Sequence, residues 1–202
     1  MAKPTILLLF LSIFCIANAT LAAATAAAAA KVTSSSLSFI KDKCNTTQYV
    51  NLCVQSLSPY ASQIGQSSRE LTRVALNVSL VQAESTMAFL RKVRKIKGLR
   101  PRELAAVKDC VDEMGDTVDE LSESARELKR AGGARPKEFR WRMSNVQTWV
   151  SAALTDDSTC LDGFSGRALN GRVKASIRAR MISVDHYTSN ALALINQYAA
   201  KP

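Results

Sequence analysis

Residues 101–130 carry the clearest alternation of apolar and polar positions in the chain. Apolar side chains recur there at steps of three and four, the spacing that places one side of a helix in the core of a bundle. These positions are Leu104, Val107, Val111, Met114, Val118, Leu121, Ala125 and Leu128. Pro101 suits the first turn of a helix and Gly132-Gly133 stops it, so the pattern predicts one helix over the segment.

Three further segments, 67–97, 136–156 and 173–198, repeat this spacing. Ser67 and Glu70 form a capping box at the start of the first segment. The predicted core-facing positions are Leu71, Val74, Val78, Val81, Ser85 and Phe89 in the first, Phe139, Met143, Val146, Val150 and Ala153 in the second, and Ile177, Met181, Val184, Thr188, Ala191 and Ile195 in the third. Each segment is therefore predicted to be one long helix.

Four long helices joined mostly by short connections pack as an antiparallel up-down four-helix bundle. The chain is thus predicted to be all-α, with the bundle over 61–200. Ahead of it, 34–60 reads as two short helices around Cys44 and Cys53, and Pro59 ends the second. Helices this short are marginal alone, so we expect a helical hairpin held by its cysteines and joined to the bundle in one domain over 34–200.

Four cysteines lie beyond the N-terminal segment, namely Cys44, Cys53, Cys110 and Cys160. An even number in a secreted chain predicts two disulfides, and four cysteines allow three pairings. Cys110 lies early in the second long helix and Cys160 just past the predicted end of the third. Antiparallel neighbours bring those two points together, which favours Cys110 with Cys160 and Cys44 with Cys53.

The N-terminus has the form of a secretory signal peptide over 1–19, with an early Lys3, a short apolar run and a small-residue cleavage site. Alanines further on offer cleavage points as late as about residue 30, and we expect the Ala/Ser-rich segment 20–33 to be disordered. Asn45 and Asn77 begin sequons for N-glycosylation. The mature chain is predicted to be secreted and to lack a membrane anchor.

The chain is strongly basic, with a net charge of +10. Cations collect at two predicted ends of the bundle. Arg91, Lys92, Arg94, Lys95, Lys97, Arg100 and Arg102 lie at one end and Lys129, Arg130, Arg135, Lys137, Arg140 and Arg142 at the other. Carboxylates gather instead along the second long helix. In a secreted protein this charge favours an acidic polysaccharide, a membrane surface or another protein as partner, rather than nucleic acid.

Catalysis has little support in the sequence. His186 is the single histidine, and a lone histidine on a helix is typical of a surface or partly packed position. The chain lacks the zinc-protease, nucleophile-elbow, P-loop and dinucleotide motifs, and its cysteines are committed to disulfides. We therefore expect no enzyme activity, no catalytic residue, no metal and no cofactor.

Several motifs resemble one known family. Asp109-Cys110 followed by Asp116-Thr117-Val118-Asp119-Glu120-Leu121, then Trp149–Phe164 with its Thr159-Cys160-Leu161-Asp162-Gly163-Phe164, and finally Ser189–Ile195 are similar to signatures of the plant invertase and pectin methylesterase inhibitor family. The resemblance covers 34–199. It implies a four-helix bundle with an N-terminal hairpin, the same two disulfides, and a non-catalytic inhibitor of the free-standing type.

Family members that block acid invertase carry a Pro-Lys-Phe motif before the last helix, and the corresponding loop 165–172 lacks it. The resemblance therefore implies a one-to-one complex with pectin methylesterase in the apoplast or cell wall. An invertase inhibitor is one alternative, and a basic wall protein that holds pectin through its ends without inhibiting is another. The exposed contact residues are predicted to be Asp112, Asp116, Thr117 and Glu120 on the second long helix, with Thr148 and Ser151 on the third.

Overall fold

The computed structural model describes residues 33–164 and 171–200, so the predicted signal peptide and most of the loop 165–172 lie outside the described residues. The described residues form helices and turns and no strand, which confirms the all-α class. The helices are α1 (33–44), α2 (Val50–Leu57), α3 (Ala61–Ile64), α4 (Ser68–Val93), α5 (Pro101–Ala131), α6 (Pro136–Gly163) and α7 (Arg172–Ala199). None of these helices is long and apolar enough to span a membrane.

The four long helices form a ring of neighbours, in which α4 packs on α5, α5 on α6, α6 on α7 and α7 on α4. Contacts between neighbours run in opposite directions along the two helices. On α4 and α7, Thr72 bonds to the carbonyl of Leu194, while Ser79 bonds to Thr188 further along α4 and further back on α7. The bundle core lies between them and is sealed at one end by the buried Phe164.

The N-terminal hairpin is fixed to α7 by polar contacts. The Asn190 side chain accepts a hydrogen bond from the backbone N of Tyr49 and donates one to its carbonyl, both at 3.0 Å. Gln197 donates to the carbonyl of Lys43 at 3.1 Å. His186 stacks on the Tyr49 ring with centroids 3.6 Å apart, so the single histidine helps to dock the hairpin.

Two disulfides are present, in the pairing that the sequence favoured. Cys44–Cys53 closes the hairpin, and Cys110–Cys160 joins the first third of α5 to α6. The third long helix is longer than predicted, because it continues to Gly163 instead of ending near residue 156. Cys160 therefore lies inside α6, on the buried side that continues from Val150.

The predicted core-facing stripe of α4 is wrong at Val81 and Ser85, which are exposed, while Val78 and Phe89 are partly buried and pack against the core. Val81 is 55% exposed, whereas Ser79 and Thr86 are fully buried. Ser79 and Thr188 of α7 share a hydrogen bond of 2.7 Å, so the α4–α7 interface is partly polar. Apolar residues alone did not locate the buried side of α4, because hydroxyl groups occupy part of it.

Candidate partner-binding face

The exposed side of α5 carries a row of carboxylates. Asp109, Asp112, Asp116 and Asp119 recur at steps of three and four, which aligns them along one side of the helix, and all four are exposed. We call these four residues the acidic row. Like charges at such spacing repel one another, so the row costs the isolated helix some stability and leaves a concentrated negative surface.

The outward side of α6 is neutral by contrast. Ser144, Thr148, Ser151 and Thr155 follow one another at steps of three and four, and all four are exposed. We call them the hydroxyl row. The hydroxyl of Thr148 donates to the carbonyl of Ser144 at 2.9 Å, and that of Thr155 donates to the carbonyl of Ser151 at 3.2 Å. These side chains are thus held against their own helix and leave a smooth surface without charge.

Between the two rows, α5 and α6 bury carboxyl groups. Asp157 is 0% exposed and accepts a hydrogen bond of 3.3 Å from the Thr117 hydroxyl, while Glu120 and Asp156 lie part-buried beside each other. One oxygen of each carboxyl group is buried and has no hydrogen-bond partner among the described residues. We call Glu120, Asp156 and Asp157 the acid cluster.

Burial and mutual repulsion hold the acid cluster towards its neutral form. Burial raises the pKa of Asp157 to about 8, although the Thr117 hydrogen bond opposes this, and the nearby Asp185, Asp156 and Glu120 charges add to it. Burial, followed by the charge of Asp156, raises the pKa of Glu120 to about 7. Burial also raises the pKa of Asp156. At acidic pH the cluster therefore carries little charge.

On its other flank the acidic row meets cations. Arg91 and Arg94 at the end of α4 line an open groove with Asp112, Asp116 and Asp119. Within the described residues no ion pair joins the two sides of this groove. The two arginines therefore offset part of the negative charge of the acidic row on the α4 side, while the outer side of the row faces solvent.

The predicted contact residues do not all lie on the surface. Asp112, Asp116, Thr148 and Ser151 are exposed, but Thr117 is 0% exposed. The expectation that Thr117 is exposed is wrong, because its hydroxyl is directed into the α5–α6 interface, 3.4 Å from the carbonyl of Ala153. Glu120 is part-buried in the acid cluster. Four of the six residues therefore remain available to a partner, and Glu120 lies part-buried between the two rows, beside Asp156 of α6.

The sequence reasoning missed Asp156 and Asp157. It treated the inward positions of the bundle as apolar, yet Asp157 and Glu127 are both buried. The spacing held a usable signal, since Asp157 continues the series Val150, Ala153 towards Cys160 at steps of three and four. Glu127 is paired with Arg142 at 2.8 Å and so is not part of the acid cluster.

Other predicted features fall outside this face. No group of three or more His, Cys, Asp or Glu side chains in 33–164 and 171–200 is placed to hold a metal ion. The sequon asparagines Asn45 and Asn77 are exposed, while the hydroxyl residues that complete the two sequons, Thr47 and Ser79, are buried. A glycan would have to be attached before the chain folds.

The family model described as plant invertase/pectin methylesterase inhibitor matches residues 38–194. Pectinesterase inhibitor 11 of Arabidopsis thaliana is 46% identical over 203 residues, covering 100% of each chain, and pectinesterase inhibitor 9 of that plant is 51% identical over 166 residues, covering 81% of each. A crystal structure of a mutant pectin methylesterase inhibitor from Arabidopsis shares the fold, with a TM-score of 0.61 at 22% identity, covering 76% of this chain and 92% of that one. The protein therefore belongs to the plant invertase/pectin methylesterase inhibitor family.

Proposed function

We propose that this protein is a secreted inhibitor of plant pectin methylesterase, which forms a one-to-one complex in the cell wall and covers the pectin-binding cleft of the enzyme. The observation that carries the proposal is its similarity, over the full length of both chains, to a protein named pectinesterase inhibitor 11. The absence of Pro-Lys-Phe from 165–172 supports the esterase over invertase as the target. Such an inhibitor would regulate the de-esterification of pectin.

A disulfide-linked bundle suits this role physically. The exposed rows on α5 and α6 belong to long helices whose buried sides are locked in the core and joined by Cys110–Cys160. A surface that is rigid before binding loses little conformational entropy in the complex, so more of the contact free energy appears as affinity. The protein supplies no reacting group and acts by excluding the substrate.

The face that we assign to the enzyme consists of the acidic row, the hydroxyl row and the α5–α6 interface between them. α5 and α6 run antiparallel, with Thr117 beside Asp157 and Glu127 beside Arg142. Ser151 therefore lies at about the level of Glu120 along the bundle. The acidic row would supply charge complementarity, which sets association rate and specificity, while the hydroxyl row would allow close approach without desolvating a charge.

The function is tested by titrating the mature protein, from about Lys31 to Pro202, against a plant pectin methylesterase and separately against a plant acid invertase. We expect esterase activity to fall to zero near a molar ratio of one, with invertase activity unchanged. Inhibition of invertase alone would replace the proposed target. If neither activity is lost across several esterase isoforms, the inhibitor function is overturned.

Charge reversal tests the assigned face. We expect the pair Asp112→Lys and Asp116→Lys to weaken inhibition by about tenfold or more, because it inverts the potential over two turns of α5. The measurement is the inhibition constant at moderate salt.

The matched control is the pair Asp42→Lys and Glu84→Lys, which changes net charge equally on exposed positions of α1 and α4. It should leave the inhibition constant within about twofold of wild type. Equal losses in the two pairs would mean that net charge, and not this face, governs the encounter.

The raised pKa of Glu120 in the acid cluster leads to a second prediction about binding. Glu120 has a pKa of about 7, so it is neutral at pH 5 and partly ionised at pH 7.5. Covering a neutral carboxyl costs less than covering a carboxylate, so we expect binding to be about threefold to tenfold tighter at pH 5. In Glu120→Gln this contribution should disappear, and binding at pH 7.5 should be at least as tight as in wild type.

Direct binding measured by calorimetry avoids the pH dependence of the enzyme's turnover. The exposed Glu84→Gln on α4 serves as the control and should keep the wild-type pH profile. Identical profiles for wild type and Glu120→Gln would show that Glu120 is not covered in the complex.

A further inference from the structure

The largest exposed aromatic side chain lies at one end of the bundle, away from the centre of the face described above. Trp141 is 60% exposed in the second turn of α6. It lines an open groove with Arg135, Pro136, Lys137 and Glu138. An indole ring buries well in a core or at an interface, so one left in water on a folded surface points to a contact made outside the chain.

Several exposed cations at this end of the bundle lack ion-pair partners. Lys129, Arg135, Lys137 and Arg140 are exposed and make no ion pair among the described residues. We call these four residues together with Trp141 the tryptophan pole. Arg135 and Lys137 line the same groove as Trp141, and Arg140 lines an adjoining groove that also contains Pro136. Unpaired cations in neighbouring positions repel one another, and a bound anion would relieve the repulsion.

One guanidinium in this region is held in place. Arg142 pairs with the buried Glu127 at 2.8 Å and with Glu138 at 2.6 Å, and it lies 5.7 Å from the centre of the Trp141 ring. Arg142 is therefore fixed by two carboxylates and provides a cation–π contact to the indole. Trp141 is nevertheless 60% exposed, so much of the indole remains open to solvent.

The other basic end of the bundle differs both in its charge and in the exposure of its aromatic side chain. Its Arg91 and Arg94 line a groove with three carboxylates of the acidic row, which would repel a polyanion. Its aromatic side chain, Phe89, is covered by the Arg180 guanidinium at 4.4 Å. The tryptophan pole instead combines an exposed indole with four cations that make no ion pair among the described residues. The one carboxylate in its groove, Glu138, is paired with Arg142.

We propose that the tryptophan pole is a binding site for a linear acidic glycan, with Trp141 packed on a sugar ring and the flanking cations bound to uronate carboxylates. A sugar ring offers an apolar face that fits an indole, and a uronate polymer repeats one carboxylate on every ring. Arginine binds carboxylates in a planar, two-pronged geometry, which suits Arg135 and Arg140. A lipid surface fits less well, since Pro136 is the one other apolar residue that lines the groove of the indole, and its remaining neighbours there are charged.

This site is separate from enzyme inhibition and does not rest on it. It would hold the inhibitor on the acidic wall polymer. The site sits at the turn between α5 and α6, while the acidic and hydroxyl rows lie along the middle of those helices.

The test measures binding of polygalacturonate oligomers to the intact mature protein, with no esterase present. We expect Trp141→Ala to weaken binding by about tenfold, and the pair Lys137→Glu and Arg140→Glu to weaken it by about tenfold or more and to flatten its salt dependence. The matched control at the other end is Lys92→Glu with Lys95→Glu, which should stay within about twofold of wild type. Since Trp141 is exposed, unchanged melting temperatures will show that its variant is folded.

Two comparison ligands test whether the site recognises a sugar ring, any polyanion or a lipid surface. Poly-glutamate carries the same charge without sugar rings and should bind at least about tenfold more weakly than polygalacturonate, with no effect of Trp141→Ala. Equal affinity for the two polymers, or equal losses at the two ends, would overturn the site in favour of diffuse attraction to any polyanion. Tighter binding to anionic lipid vesicles than to the oligomers, lost in Trp141→Ala, would overturn it in favour of a membrane surface.

Discussion

Replacing both Cys110 and Cys160 by alanine should lower the free energy of unfolding by about 4 kcal/mol. The bond joins residues 50 positions apart, and a cross-link restricts the unfolded chain more as the loop that it closes grows. Both cysteines are buried, so alanine avoids burying an unpaired hydroxyl. For a domain of this size the melting temperature should fall by about 8 to 16 °C.

The matched control is the other disulfide. Cys44 and Cys53 are nine residues apart, so their replacement by alanine should cost about 2.5 kcal/mol by the same reasoning. That loss should fall mainly on the hairpin, which Asn190 and Gln197 also hold to α7. Urea unfolding of the two double variants measures both losses in the free energy of unfolding. If the hairpin variant loses as much as the Cys110–Cys160 variant, loop length is not the governing term.

The long helices could be predicted from the sequence because their starts or their buried sides are marked in it. Proline stands at the first position of α5 and α6, and the Ser67 hydroxyl accepts from the backbone N of Glu70 at the start of α4. Along α7 the predicted core positions from Ile177 to Ile195 are all buried. Where a helix buries apolar residues against apolar neighbours, the spacing of those residues is a sufficient guide.

Prediction failed where helices pair polar groups. Three buried residues are of types that usually lie on the surface, namely Ser79, Thr117 and Asp157. Each is accommodated by a partner on another helix, such as Thr188 for Ser79 and Thr117 for Asp157. Such pairs depend on how far two helices are shifted along each other, and the spacing of residues within one helix does not specify that shift.

The candidate face was therefore predictable in part. Asp112 and Asp116 could be placed on the exposed side of α5 because they stand opposite the apolar series of that helix. Thr117 and Glu120 could not be placed correctly, since their exposure depends on how closely α6 approaches and on what Asp156 and Asp157 contribute. The tryptophan pole was visible only as a run of basic residues, because the sequence does not show that the Trp141 side chain stays outside the core.

Asp157 should make the folded protein more stable at acidic than at neutral pH. Its pKa of about 8 in the fold lies above the ordinary value of about 3.9 expected in the unfolded chain. The folded state therefore holds its proton more tightly, and the stability that this provides is complete below about pH 3.9 and is lost as pH rises towards 8. Between pH 5 and pH 7.5 the loss from this group is about 3 kcal/mol.

The groups that face Asp157 do not all act in one direction, and the Thr117 hydrogen bond opposes the rise in its pKa more than any single nearby charge adds to it. Thr117 on α5 donates a hydrogen bond that favours the carboxylate, while the charges of Glu120 on α5, Asp156 on α6 and Asp185 on α7 disfavour it. Burial also raises the pKa of Asp185, against the nearby His186. The cluster as a whole should therefore give a stability that falls with rising pH.

Asp157→Asn isolates the contribution of the Asp157 carboxyl group to the pH dependence of stability, because an amide occupies the same space and does not titrate. Urea unfolding at pH 5 and pH 7.5 should show that the variant loses about 3 kcal/mol of the wild-type difference between the two conditions. It should be more stable than wild type at pH 7.5. The exposed Asp112→Asn is the same chemical change without burial and should keep the wild-type difference. An unchanged difference in Asp157→Asn would mean that the carboxyl group is not neutral in the fold.

Stability and binding can be separated within the acid cluster. Asp157 has no surface to offer a partner, whereas Glu120 is only part-buried between the two rows. We therefore expect Asp157→Asn to alter the pH dependence of unfolding and leave inhibition at pH 5 unchanged, where wild-type Asp157 is already neutral. Glu120→Gln should instead alter the pH dependence of binding. If both substitutions change both properties together, the cluster acts as one coupled unit, and acidification would tighten the fold and the inhibitory face in a single step.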